Sequence, residues 1–256
     1  GAGDIAVCGS PDDEATALLL DDIPGTVFTA GDNVYDDGTA QEFADCYDPS
    51  WGRHLARTRP SAGNHDYQTP GATGYYGYFG AAAGDPTKGY YSYDLGAWHV
   101  VVVNSNISVS AGSAQLQWLA ADLAANPAAC TITYGRHPRF SSGQHGNNSG
   151  MQSLWQVLYD AGVDVIVNGH EHDYERFAPQ TPSGALDTQR GIREFVVGTG
   201  GVSLRGFGTI RANSEVRNST AHGVLKLSLY ETRYEWQFIP VAGDTFQDSG
   251  GRDCHL

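Results

Sequence analysis

The chain has 256 residues, with 15 basic against 29 acidic side chains and a formal net charge of −14. That length allows one large domain or two small ones with a substantial core. The acidic balance argues against a nucleic-acid polymer or an anionic membrane surface, which both need a positive field, but leaves open a small anionic substrate drawn to a local metal. No stretch reaches the roughly 20 apolar residues of a membrane span. The longest run, Trp98 to Val103, is strand-sized. There is no signal-peptide pattern and no initiator methionine, so Gly1 reads as a processed or trimmed end.

In chain order, the pattern predicts a helix over 12–21 and a strand over 27–30. The segment 70–89, rich in Gly, Ala and Tyr, reads as a long surface loop. Strands follow over 91–95 and 98–104, then a helix over 113–124 with Leu116, Leu119 and Leu123 as an apolar stripe. A strand over 131–134, a helix over 151–161 and a strand over 163–168 complete the middle. Further strands are expected over 195–199, 224–230 and 234–241. The alternation predicts an α/β protein, a layered β-sandwich flanked by helices, with no visible domain boundary.

The four cysteines, Cys8, Cys46, Cys130 and Cys254, form no C-x-x-C pair, which argues against a zinc ribbon or a thioredoxin-type site. Their even, scattered placement suits an oxidising compartment, so the protein is expected to be secreted. Of the three possible pairings, Cys8–Cys46 with Cys130–Cys254 is favoured.

Several apolar segments end alike. One runs into Gly31-Asp32, the next into Gly63-Asn64-His65-Asp66, the third into Arg136-His137-Pro138 and the last into Gly169-His170-Glu171-His172. Gly3-Asp4 stands near the start. Ligands in open α/β sheets bind beyond the carboxyl ends of strands, and glycine there lets the backbone turn sharply. Singly, a Gly-Asp is an ordinary turn and a His-x-His is weak. Together they place Asp4, Asp32, Tyr35, Asn64, His137, His170 and His172 as candidate ligands. One ion rarely takes so many, whereas two ions sharing an aspartate would.

The set resembles the calcineurin-like metallophosphoesterases, and within them the purple acid phosphatases. The matching motifs are Gly3-Asp4, Gly31-Asp32-Asn33-Val34-Tyr35, Gly63-Asn64-His65-Asp66, His137 and Gly169-His170-Glu171-His172, followed by Tyr174-Glu175-Arg176. The resemblance spans residues 3–176. Ala6 stands where many metallophosphoesterases carry a histidine, and Tyr35 can fill that gap. The resemblance implies an α/β/β/α fold and a single catalytic domain over residues 1–256. It also implies one ion held by Asp4, Asp32, Tyr35 and His172, and a second by Asp32, Asn64, His137 and His170. Two carboxylates and a phenolate favour iron(III). The Asn/His₂ side suits a divalent zinc, iron or manganese ion. His65, beside Asn64, is the expected catalytic residue, donating a proton or holding a phosphate oxygen. Asp66 either orients His65 or stabilises the turn. Asn64 and His145 are further candidates for substrate contact.

The expected function is therefore hydrolysis of small phosphate monoesters by a secreted binuclear enzyme. A phosphodiesterase using the same site is the alternative, and a metal-binding protein without turnover is the non-enzymatic one.

Overall fold

The computed structural model describes residues 1–255. The N-terminal part carries four short strands, β1 (Ala6–Val7), β2 (Val27–Ala30), β3 (Val34–Tyr35) and β4 (Thr58–Ser61). They pair in parallel as β1 with β3 and β2 with β4. Helix α1 (Asp12–Asp21) lies between β1 and β2. A main sheet follows, built from β5 (Tyr91–Leu95), β6 (Trp98–Val102), β7 (Cys130–Gly135), β8 (Val165–Asn168), β9 (Tyr174–Phe177), β10 (Arg193–Val197) and β11 (Ser214–Asn218), in the order β11-β9-β10-β8-β7-β6-β5. An antiparallel meander of β12 (Gly223–Leu229), β13 (Arg233–Pro240) and β14 (Asp248–Asp253) completes the second layer.

The centre of the main sheet, β6-β7-β8-β10, is parallel and buried along its whole length. Parallel strands are found where both faces are covered, which explains their unbroken apolar runs. Strand alternation sends Trp98, Val100 and Val102 to one core and Val101 and Val103 to another. The first core is shared with the meander and the N-terminal strands, through Val27, Val224, Trp236 and Phe238. The second is closed by the two helices that follow β6 and β7. Leu116 and Leu119 come from Ala114–Ala125, and Leu154, Trp155 and Leu158 from Gln152–Asp160. Ser113 caps the first of these helices, its hydroxyl accepting from the Leu116 N–H. This is the layered sandwich expected from the sequence.

The segment 70–89 departs from its expectation as a surface loop, because it contains a helix over Thr73–Phe79. Tyr75 and Phe79, four residues apart, are buried on one face, and Phe79 packs edge-on against Phe43 and Tyr47. Tyr78 stacks on Phe43 and donates to Asp48. These tyrosines and Phe79 serve packing. Both expected disulfides are present, Cys8–Cys46 and Cys130–Cys254. The second ties the start of β7 to the end of the chain. Among the described residues, no helix is long and apolar enough to cross a membrane.

The carboxyl ends of β2, β4, β7 and β8 open toward one edge of the sandwich. Asn168 at the end of β8 donates to the carbonyls of Gly135 and His137, locking the β7 and β8 corners together. The Gly1–Ala6 segment runs alongside, with Gly3 donating to Val197, Asp4 to Gly31 and Ile5 to Asp32. The corners therefore meet.

Candidate metal centre

Asp4, Asp32 and His170 hold positive φ angles of 59°, 48° and 76°. Such backbone costs about 1–3 kcal/mol per residue and persists only where surroundings enforce it. Here the enforcing contacts are ligand-to-backbone bonds. Asp4 Oδ2 accepts from the His170 N–H at 2.8 Å, and Asp32 Oδ1 accepts from the His65 N–H at 2.7 Å. Gly63 lies so close to Asp32 that a Cβ there would strike the Asp32 backbone and carboxylate. A Cβ on Gly169 would meet Asp4 Oδ2 at 2.8 Å. The glycines of these corners are needed for close approach.

Asp4 and Asp32 are fully buried. The Tyr35 hydroxyl lies 2.6 Å from Asp4 Oδ1 and 2.9 Å from Asp32 Oδ2. His172 Nε2 is 3.2 Å from Asp4 Oδ1 and 3.5 Å from the Tyr35 hydroxyl. The other ring nitrogen of His172 donates to the Ser203 carbonyl at 3.0 Å, which aims Nε2 at the carboxylates. Burial first, and then the neighbouring Asp4 carboxylate, push the Tyr35 phenol well above its ordinary range. A hard cation in place of its proton would bring two carboxylate oxygens, a phenolate and an imidazole together. This set fits a metal ion, and its donors suit iron(III).

The second expected set is arranged differently. The His137 and His170 rings lie 4.5 Å apart, edge to face. Burial, followed by the Arg136 charge, lowers His137 to about 4 and His170 further, so both imidazoles are neutral. His137 Nδ1 bonds Ser105 Oγ at 2.7 Å, while His170 Nδ1 is buried without a partner. Among these ligands runs the side chain of Arg136, which sequence reading did not single out. Its Nε donates to Asn64 Oδ1 at 3.0 Å, its Nη2 pairs with Asp32 Oδ2 and its Nη1 lies 2.7 Å from Asp4 Oδ1. At about 4 Å a guanidinium repels another cation by about 4 kcal/mol per unit charge, at an effective dielectric near 20. An ion on Asn64 Oδ1 and Asp32 Oδ2 would stand in that range. The guanidinium stands equally near an ion on Asp4 and Asp32, but there two carboxylates and an ionisable phenol oppose its one charge, whereas this set offers a single carboxylate, Asp32, which Arg136 already pairs; as placed, this set does not fit a second metal ion. The one sequence signal for Arg136 was a charged residue directly after a buried strand and a glycine.

Burial would raise both aspartates. Arg136 and His172 nevertheless hold Asp4 well below the usual carboxylate range, whereas burial and the Asp4 charge leave Asp32 raised.

His65 lies at the rim, half-buried, with its ring 4.2 Å from that of Tyr35. Its Nδ1 bonds the Asp36 carbonyl at 2.6 Å, which makes Nδ1 the protonated donor and leaves Nε2 free. His145 stacks on His170 with centroids 4.4 Å apart. Its Nδ1 is 3.2 Å from the buried Glu171 carboxylate, which also accepts the His145 N–H at 2.9 Å. Glu171, unnoticed in the sequence, thus fixes the loop that carries His145. The remaining histidines stand apart from this edge. His54, His222 and His255 bond main-chain carbonyls, and His99 lies between Asp94 and Asp122.

Residues 2–174 match the family model for calcineurin-like phosphoesterases. Purple acid phosphatase 21 of Arabidopsis thaliana is 31% identical over 161 residues, covering 54% of this chain and 37% of the relative. Probable inactive purple acid phosphatase 27 of the same plant is 24% identical over 250 residues, covering 80% of the chain and 39% of the relative. The chain therefore spans less than half the length of either. Among solved structures, a purple acid phosphatase from yellow lupin (Lupinus luteus) seeds superposes with a TM-score of 0.79 at 19% identity, over 99% of this chain and 53% of that one. The likeness to the lupin structure shows a shared fold, and the match over residues 2–174 gives the family: the chain belongs to the calcineurin-like phosphoesterases and is similar in sequence to plant purple acid phosphatases.

Proposed function

We propose that residues 1–256 act as one catalytic domain, a secreted phosphomonoesterase of the acid phosphatase type acting on small phosphorylated substrates. The observation that carries this reading is the convergence of Asp4, Asp32, Tyr35 and His172 beneath a rim that carries His65. Membership of the family implies a binuclear metal centre. In this chain Asp4, Asp32, Tyr35 and His172 would hold an ion, with iron(III) favoured by the phenolate. When bound, such an ion would supply Lewis acidity, lowering the pKa of a water on it and drawing charge from the phosphate oxygens.

The chain's own residues do the rest. With Nδ1 donating to the Asp36 carbonyl, the imidazolium form of His65 presents Nε2–H to hold a phosphate oxygen and to deliver that proton to the leaving oxygen. His145, held by Glu171, stacked on His170 and exposed, is the further group available to contact the phosphate. The two disulfides support secretion.

Turnover of p-nitrophenyl phosphate against bis(p-nitrophenyl) phosphate by the metal-loaded protein tests the proposal. Faster hydrolysis of the monoester is expected. Faster hydrolysis of the diester would make the protein a phosphodiesterase, and hydrolysis of neither would leave a metal-binding protein.

A further inference from the structure

Arg136 is 1% exposed, so it cannot reach a substrate at the rim. Its three nitrogens engage three members of the candidate ligand set, Asn64, Asp32 and Asp4. The seat is shaped for it. A Cβ on Gly31 would meet Arg136 Cδ at 2.8 Å and Cβ at 3.1 Å, and a Cβ on Gly169 would meet Nη1 at 3.2 Å. The side chain therefore lies in a groove that exists because both flanking corner residues lack side chains. Its planar fork spans two carboxylates at once, which a lysine would not do. Tyr35 and His172 meet the same Asp4 oxygen, at 2.6 and 3.2 Å, so three anionic or ionisable oxygen donors surround one guanidinium charge on that side, against Asp32 alone on the other.

We infer that the Arg136 guanidinium is a built-in cation standing in place of the second metal ion, so that this chain holds one ion, on Asp4, Asp32, Tyr35 and His172. The positive charge that a second ion would give to Asp32 and Asn64 comes from the protein itself and needs no metal supply. His137 and His170, their rings 4.5 Å apart, then line the pocket without holding an ion.

The inference rests on the metal-dependent reading of the site, but its test needs no turnover. The purified protein is saturated with iron and zinc, dialysed, and its metal content measured against protein concentration, alongside Arg136→Ala and Arg136→Lys. The wild-type chain is expected to hold one ion. Arg136→Ala, with its far-ultraviolet spectrum checked for native structure, is expected to hold two, and Arg136→Lys to stay at one. Two ions in the wild-type protein would overturn the inference whatever the variants do, and so would none. An Arg136→Ala protein that is folded yet still holds one would overturn it as well. A wild-type protein with one ion and no phosphatase activity would refute the proposed function and leave the role of Arg136 standing, so the two failures are separable.

Discussion

Asn33 and Asp66 fasten two site loops to each other. The Asn33 side-chain amide donates to Asp66 Oδ2 at 2.9 Å, and the Asn33 N–H meets the same carboxylate at 3.2 and 3.3 Å. The Gly63 N–H donates to it at 2.7 Å. Asn33 follows Asp32, and Asp66 lies two residues beyond Asn64, so one buried carboxylate sets the spacing of two corners. Of the two roles open to Asp66, orienting His65 or stabilising the turn, the second is the one observed, since His65 Nδ1 bonds the Asp36 carbonyl.

Asp66→Ala leaves the Asn33 and Gly63 N–H groups without an acceptor and the Asn33 side-chain amide with the Ser61 carbonyl alone. At about 1–3 kcal/mol for each unsatisfied group, a stability loss of about 2 kcal/mol or more is expected from urea denaturation. A loss below about 1 kcal/mol would mean that the loops are held by other contacts.

Tyr35→Phe removes the phenol that touches both Asp4 and Asp32. The iron-loaded variant is expected to lose its visible phenolate-to-iron absorption and to bind the ion more weakly by at least the roughly 10–100-fold that the loss of an outer-shell partner costs. The absorption spectrum and a chelator competition read the two effects. Colour that survives the substitution would show that another group is the anionic ligand.

His65→Ala is expected to lower kcat by about 10²–10⁴-fold for an alkyl phosphate, whose leaving oxygen needs a proton. For p-nitrophenyl phosphate, which leaves readily as an anion, the loss should be smaller. Equal losses on the two substrates would assign His65 to phosphate positioning alone.

His99 predicts a pH-dependent stability away from the site. It is 3% exposed, and its ring nitrogens meet Asp94 and Asp122, each at 2.8 Å. Burial opposes its charge, but the two carboxylates win and raise its pKa above 6.5. The folded value exceeds the unfolded one, so the stabilisation is complete below the unfolded pKa and fades as pH rises through the folded one. His99→Gln should lower the urea midpoint more at pH 5.5 than at pH 9. A difference independent of pH would show that the imidazole acts through packing alone.

The strands and helices with strong periodicity were legible in the sequence. Val27–Ala30 and Tyr91–Leu95 lie where their patterns put them, because burial of one or both faces wrote itself into the residues. Four of the six missed strands have physical excuses. Thr58–Ser61 contains Pro60, which reads as a strand breaker, and Asp248–Asp253 is a polar edge with two glycines. Ala6–Val7 and Val34–Tyr35 are too short to show a period. At the site, residue types that commonly bind metals drew attention to the Asp, Asn, Tyr and His positions. Arg136 and Glu171 escaped because their roles depend on where a side chain points, which a one-dimensional pattern does not contain.

The bond from the His170 N–H to Asp4 joins residues 166 positions apart. Gly3 and Asp4 are held further by Val197 and Val202, which come later still. Contacts of such long range form slowly, after the loop-closure entropy of the whole chain has been overcome. The ion site is therefore a late product of folding. A nascent chain cannot assemble it until the segment around Val202 has been synthesised, so metal uptake marks the arrival of the native state. Adding metal at the start of refolding and adding it after collapse should then give the same time course for the appearance of bound ion.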